Sequence, residues 1–271
     1  MRFLATLHRW WGVAFCLLFA MWFASGIVMH FVPFPARSEQ AAPPGIDASR
    51  AEQIDYDQWT VAGDFDRDRP LKCIALNDKA GTELYLSSTS GRIVLTTTHN
   101  ERLANYAGSI PHWLYASALR HHKRAWSALM WWLSLIATTG AAIGVIIGLV
   151  RPGRGPAYRG LQRWHHITGL IFAPFLLAWI FSGFLSMDDG WLLPHSEVAF
   201  RALHKLEFEP LASHPRLQTG VIVGLCLCGL AFSLTGVVQA WQRVRMVADR
   251  ATLITHDDTP LNKRPSSKSG L

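Results

Sequence analysis

Charge is what this sequence has least of. Asp, Glu, Lys and Arg make up 17% of its 271 residues and hydrophobic residues 50%, where a soluble domain carries roughly 25% charge. The shortage is concentrated: residues 10–32, 125–150, 167–187 and 217–242 contain no charged side chain. At ~1.5 Å rise per residue, about 20 residues cross a ~30 Å hydrocarbon core, so four transmembrane helices are expected. No acidic residue lies in any span, which argues against a proton- or cation-coupled carrier. No GxSxG or HExxH motif occurs and no nucleophile has recognisable partners, which argues against a hydrolase. Cysteine is scarce too. Cys16, Cys226 and Cys228 fall inside spans, where a thiol acts as a small apolar group, and Cys73 stands alone outside them, so there is no disulfide framework. Cys226 and Cys228 form C-x-C, which is not the spacing of a zinc or redox pair.

The basic residues that are present have a pattern. Arg2 and Arg9 precede the first span, Arg151, Arg154, Arg159 and Arg163 separate the second from the third, and Arg243, Arg245, Arg250, Lys263, Arg264 and Lys268 follow the fourth. All three groups share one face of a four-span protein, so both termini are expected in the cytoplasm. The net charge of +7 then serves topology and lipid headgroups, and no nucleic-acid partner is needed. The first apolar run exceeds the 7–15 residues of a signal-peptide core and lacks a small-x-small cleavage site, so it reads as a retained helix. The expected organisation is a cytoplasmic start and first span over 1–32, an outer region over 33–124 and a second span over 125–150. A cytoplasmic loop over 151–164, a third span over 165–187, an outer loop over 188–216, a fourth span over 217–242 and a disordered tail over 243–271 complete it.

The outer region begins with a Pro- and Ala-rich linker. IDASRAEQIDYDQW (46–59) is expected to hold a short helix; KCIAL, ELYL and RIVLTTT read as strands, with SSTSG as the turn of a hairpin. The result is a small α+β unit resting on a bundle.

An internal repeat underlies the bundle. A shift of 157 residues lays His8 on His165, Gly12 on Gly169, Trp22 on Trp179 and Ser25-Gly26 on Ser182-Gly183. WFASG and WIFSG are one motif, and TTGAAIG in the second span weakly echoes SLTGVV in the fourth. Two parallel helical-hairpin repeats are the simplest account.

Twelve histidines are many for this length, and several sit at span boundaries: His8, His165 and His166 at one membrane face, His30, His112, His121 and His122 at the other. His8 and His30 are ~33 Å apart along one helix. Because His8 and His165 occupy equivalent repeat positions, a bundle can aim both at one point, and two histidines from facing helices form the bis-imidazole ligand set of a b-type haem. Gly12, Gly26, Gly169, Gly183 and the nearby aromatic residues provide a slot for a flat ring. A boundary histidine also serves as an interfacial anchor, which is the competing reading for each taken singly. His99, His195, His204, His214 and His256 read as solvated.

LHRWWG, ELYLSSTSGRIV, IPHWLYASALR and RGLQRWHHITG together resemble the PepSY-associated transmembrane family, over about residues 5–245. The resemblance implies a bacterial inner-membrane protein with four helices and a periplasmic PepSY-like insertion between the first two. It also implies histidine-ligated b-type haems and reduction of ferric siderophores. The family histidines map onto His8, His112 and His165. The expected ligand sets are His8 with His165 (or His166) for a cytoplasm-side haem and His112 with His30 (or His122) for an outer one. A quinol or cytoplasmic reductase would donate electrons and a ferric chelate would accept them; homo-oligomerisation is compatible with this. The alternative is a non-enzymatic PepSY-containing membrane module that binds or regulates a partner protein.

Overall fold

A computed structural model of the chain describes residues 2–46, 51–150, 159–187 and 196–257. Most of the basic 151–164 loop, His195 and the end of the tail lie outside the described residues. Four helices are long and apolar enough to cross a membrane, the build of a multi-pass membrane protein. They are α1 (Arg2–Phe31), α5 (Lys123–Val150), α6 (Leu161–Leu185) and α9 (Pro215–Asp257). Each begins before its uncharged stretch, because helical hydrogen bonding extends into the polar residues that precede the apolar run. α9 also carries on to Asp257, through residues 243–257 that composition assigned to a disordered tail.

The packing follows the repeat. α1 packs most extensively on α9, and α5 on α6. Each hairpin therefore sends its first helix against the second helix of the other hairpin. Phe23, Phe172, Leu176, Ile180 and Cys226 form the shared core, flanked by Phe15, Phe19, Trp22 and Trp179.

Between α1 and α5 lies a four-stranded antiparallel sheet in the order β1-β2-β3-β4. Its strands are β1 (Glu52–Ile54), β2 (Leu71–Ala75), β3 (Glu83–Ser87) and β4 (Ile93–Thr97). The last three are the strands expected from alternation and β-branching. The turn between β3 and β4 is closed by the Ser87 hydroxyl, which accepts from the Thr89 and Ser90 amides, and by Gly91 at φ +68°. β1 replaces the short helix expected there, because the free edge of β2 supplies backbone partners that three residues of weak local preference follow. Short helices complete the unit: α2 (His99–Ala107), α3 (Ser109–His112) and α4 (Ser117–Arg120). A reciprocal cap between Thr98 and Glu101 starts α2. The segment between α6 and α9 forms α7 (Ser196–His204) and α8 (Glu209–Ala212).

Hydrogen bonds within the sheet unit and from Trp126 of α5 and Trp22 of α1 fix α3 and the residues that follow it. Asn105 Nδ2 donates to the Pro33 carbonyl at 3.2 Å, Gln58 Nε2 to the Tyr115 carbonyl at 2.7 Å and Trp126 Nε1 to the Trp113 carbonyl at 2.9 Å. Trp22 Nε1 donates to the carbonyl of His112 itself at 2.9 Å. Within the unit, Arg37 and Asp68 form a 2.9 Å ion pair that ties the linker down.

Candidate functional site

At the end of the bundle near the N-terminus, α1, α5, α6 and α9 enclose a cavity of about 630 Å³ that both His8 and His165 line. Ligand sites of ~300–1,000 Å³ are usual. His8 Nδ1 lies 3.2 Å from the Gly140 carbonyl, an atom that can only accept, so Nδ1 carries the proton. His165 Nδ1 lies 2.8 Å from Thr235 Oγ1. That hydroxyl donates to the Phe232 carbonyl at 2.6 Å and so accepts from His165. The two anchors are repeat-equivalent Thr-Gly steps, Thr139-Gly140 and Thr235-Gly236. His8 fits because Gly144 has no side chain: a Cβ there would fall 2.5 Å from the His8 ring. His165 stacks on Phe232 at 4.7 Å between centroids, 17° apart. Both imidazoles thus expose Nε2 as an unprotonated donor, the state a metal requires.

At the sheet-side end a second pair appears. The His112 and His204 rings lie 6.2 Å apart, nearly perpendicular. Metal–imidazole bonds of ~2 Å on either side of one ion set two ring centres ~6 Å apart. Each is held by the repeated Ser-Gly motif. His112 Nδ1 is 3.0 Å from Ser25 Oγ, whose proton goes to the Met21 carbonyl at 2.6 Å. His204 Nδ1 is 3.0 Å from the Trp179 carbonyl and 3.2 Å from Ser182 Oγ. A Cβ at Gly26 would sit 3.6 Å from the His112 ring and one at Gly183 3.5 Å from the His204 ring. Two residues beyond each histidine the backbone turns left-handed, at Leu114 (φ 48°) and Leu206 (φ 52°), a conformation uncommon outside glycine. Burial pushes His112 down to about 3, and the charge of His204 pulls the same way. Burial likewise pushes His204 down to about 4, against the Trp179 carbonyl. Both rings are neutral at physiological pH and present Nε2.

No family model, curated protein or solved structure matches the chain. The site therefore rests on its own geometry. Among the described residues no three His, Cys, Asp or Glu side chains cluster around a point that could hold a bare metal ion; a haem needs only two.

The sequence-derived candidates separate clearly. His8 and His165 share the cavity, and His166 also lines it. His112 meets His204, which sequence reasoning assigned to solvent. His204 is instead partly buried, because α7 packs back against α6 and folds its last residue onto Ser182. The signal was in the repeat: His112 precedes the second span and His204 the fourth, each two residues before a leucine. His30 engages Thr219 of α9 through Nε2 at 2.9 Å, whereas the ring that lies against His112 is that of His204. His121 and His122 are exposed, contacting each other and, through His121, Tyr56. Gly12 and Gly169 line the cavity, while Gly26 and Gly183 make room for the histidine rings themselves.

Proposed function

We propose that the chain is an inner-membrane b-type haem protein that carries electrons across the membrane to a ferric chelate outside, with two haems. This reading agrees with the resemblance to the PepSY-associated transmembrane family and with the basic loops that favour cytoplasmic termini. The observation that carries it is the four histidines in two pairs, each with Nδ1 bound to an acceptor and Nε2 left as a lone pair. His8 and His165 are the ligands on the terminal side, and His112 and His204 on the sheet side. His204 takes the place of His30 because its ring lies 6.2 Å from that of His112.

Haem supplies the one-electron Fe(III)/Fe(II) chemistry. The chain supplies position and electronics. Gly140, Thr235, Ser25 and the Trp179 carbonyl orient the imidazoles and raise their basicity through the Nδ1 protons. Phe15, Phe19, Trp22, Phe172 and Trp179 fill the ~25 Å of helix between the two levels and keep water out. Electrons would enter from a quinol or a cytoplasmic reductase at the terminal side. Reduction of a ferric chelate to Fe(II) weakens binding by hard oxygen ligands and frees the metal.

The test is the absorption spectrum of the detergent-purified protein, oxidised and dithionite-reduced, with a pyridine haemochrome count per chain. Two haems are expected. His8→Ala or His165→Ala should remove one and His112→Ala or His204→Ala the other, while His30→Ala keeps both. A colourless protein made with ample haem supply overturns the reading, and leaves the partner-binding module in its place.

A further inference from the structure

The cavity that holds His8 and His165 is apolar in its depth and cationic at its mouth. No Asp or Glu is among the described residues that line it, whereas Arg2, Arg9 and Arg243 are. Three polar atoms on α9 are buried without a hydrogen-bond partner: Ser233 Oγ, Gln239 Nε2 and Arg243 Nε. All three residues line the cavity, and the two nitrogen donors lie four residues apart on one helix face. A buried donor left unsatisfied costs about 1–3 kcal/mol, and more when charged. Such donors are few in native folds, and one that lines a cavity can be completed by a ligand or an ordered water there. Arg243 is also fixed in place, its guanidinium 5.6 Å from the centre of the Trp10 ring. Across the mouth, Arg9 bonds to the Ala5 carbonyl and the Thr6 hydroxyl of its own helix, leaving further donors of its five available.

Resting on the haem reading above, we infer that Gln239 and Arg243, with Arg9 opposite, clamp the carboxylates of the haem held between His8 and His165. The ligand this cavity asks for has a flat apolar body and an anionic edge at the mouth. The shared chemistry is an oxyanion meeting buried N–H donors. A haem carboxylate and a phospholipid headgroup are its two sources, and the place of Gln239 one turn from Gly236, whose Cβ would lie 3.7 Å from the His165 ring, favours the first. The cation also sets the haem's electronics: a guanidinium beside the carboxylates disfavours the more positive ferric state.

The experiment titrates haem-depleted full-length protein, in detergent, with haem and separately with its dimethyl ester, whose carboxylates are masked. Soret absorbance reads affinity. Midpoint potential and phospholipid phosphorus per chain are measured alongside. Arg243→Gln should weaken haem binding at the His8–His165 site about tenfold, the effect of losing one charged hydrogen bond, and lower its midpoint potential. It should leave the ester titration unchanged, and Arg243→Lys should restore part of the affinity and most of the potential. An equal loss for haem and ester overturns the clamp, since the arginine would then only shape the cavity. Unchanged haem affinity with a loss of bound phospholipid overturns it in favour of a lipid headgroup. If the wild-type chain binds neither haem nor ester, the haem reading itself falls and the clamp with it.

Discussion

Gly144 offers the sharpest test of the cavity, because its lack of a side chain is what seats His8. In Gly144→Ala the new Cβ would lie 2.5 Å from His8 Cε1, 3.1 Å from Nδ1 and 3.3 Å from Nε2. Carbon atoms settle at ~3.5–4.0 Å, so the ring must retreat by about 1 Å. The Nδ1 contact to the Gly140 carbonyl is already 3.2 Å and would then exceed hydrogen-bond length. Overpacking of this kind costs about 1–3 kcal/mol, which is roughly 5- to 150-fold in population of the ligating geometry. Alanine meanwhile gains ~1 kcal/mol over glycine in a helix interior. If His8 swings away, the fold keeps that gain while the ligand is lost. The expected result is a melting temperature within a few degrees of wild type and a haem affinity at least fivefold weaker. Gly224→Ala is the control, being exposed on α9 with nothing within 4 Å of its would-be Cβ; it should alter neither haem content nor spectrum. The assay is haem titration by Soret absorbance beside thermal melting in detergent. Unchanged haem affinity in Gly144→Ala would refute the seating of His8 over this glycine.

Further perturbations probe the other anchors. Ser25→Ala removes the acceptor for His112 Nδ1 and should weaken the sheet-side haem about 10- to 100-fold. Ser182→Ala should cost less, since His204 keeps the Trp179 carbonyl at 3.0 Å; haem stoichiometry under dilution ranks the two. Thr235→Val, close in shape but without the hydroxyl, should loosen the His8–His165 haem and leave the other unaffected, which reduced difference spectra of the two bands would show. pH acts through His112 and His204, held down to about 3 and about 4. Below the ordinary imidazole value of ~6.5 the unfolded chain binds more protons than the folded one, so stability falls as pH drops from ~6.5 toward 4 and is flat above ~7. Melting of the haem-free protein across that range should show the slope, and His204→Gln should reduce it while His112 keeps its share. A second acid-sensitive point is Asp68. Its burial raises the carboxyl, but the Arg37 hydrogen bond and charge with the Ser87 hydroxyl outweigh that and leave it below the usual range. Stability of the sheet unit should therefore hold above pH ~4 and decline as pH falls through the depressed value, an effect that Asp68→Asn removes.

The bundle was legible in the sequence because charge is absent from four stretches of the right length, and lipid imposes that pattern directly on composition. Three strands were legible for the same kind of reason, alternation and a Ser-rich turn. β1 was not, since residues 52–54 have little preference of their own and pair only because β2 has a free edge. Among the histidines, His8 and His165 stand out by repeat position alone. His204 was hidden because α7 is short, mixed in composition and separate from any span. Its burial depends on packing against Ser182, a contact between residues 22 apart that no local pattern encodes. His30 sits at the expected depth on α1, and its Nε2 meets Thr219 of α9, a contact between residues 189 apart that no local pattern encodes.

Each histidine is anchored within its own half of the chain. His8 leans on Gly140 and His112 on Ser25 in the first half; His165 leans on Thr235 and His204 on Trp179 and Ser182 in the second. The anchors of each hairpin are therefore local to it, and it is the packing of α1 on α9 and of α5 on α6 that brings the two members of each pair together. His8 and His165 lean on different neighbours across one cavity, and among the described residues the sheet lies in the first hairpin.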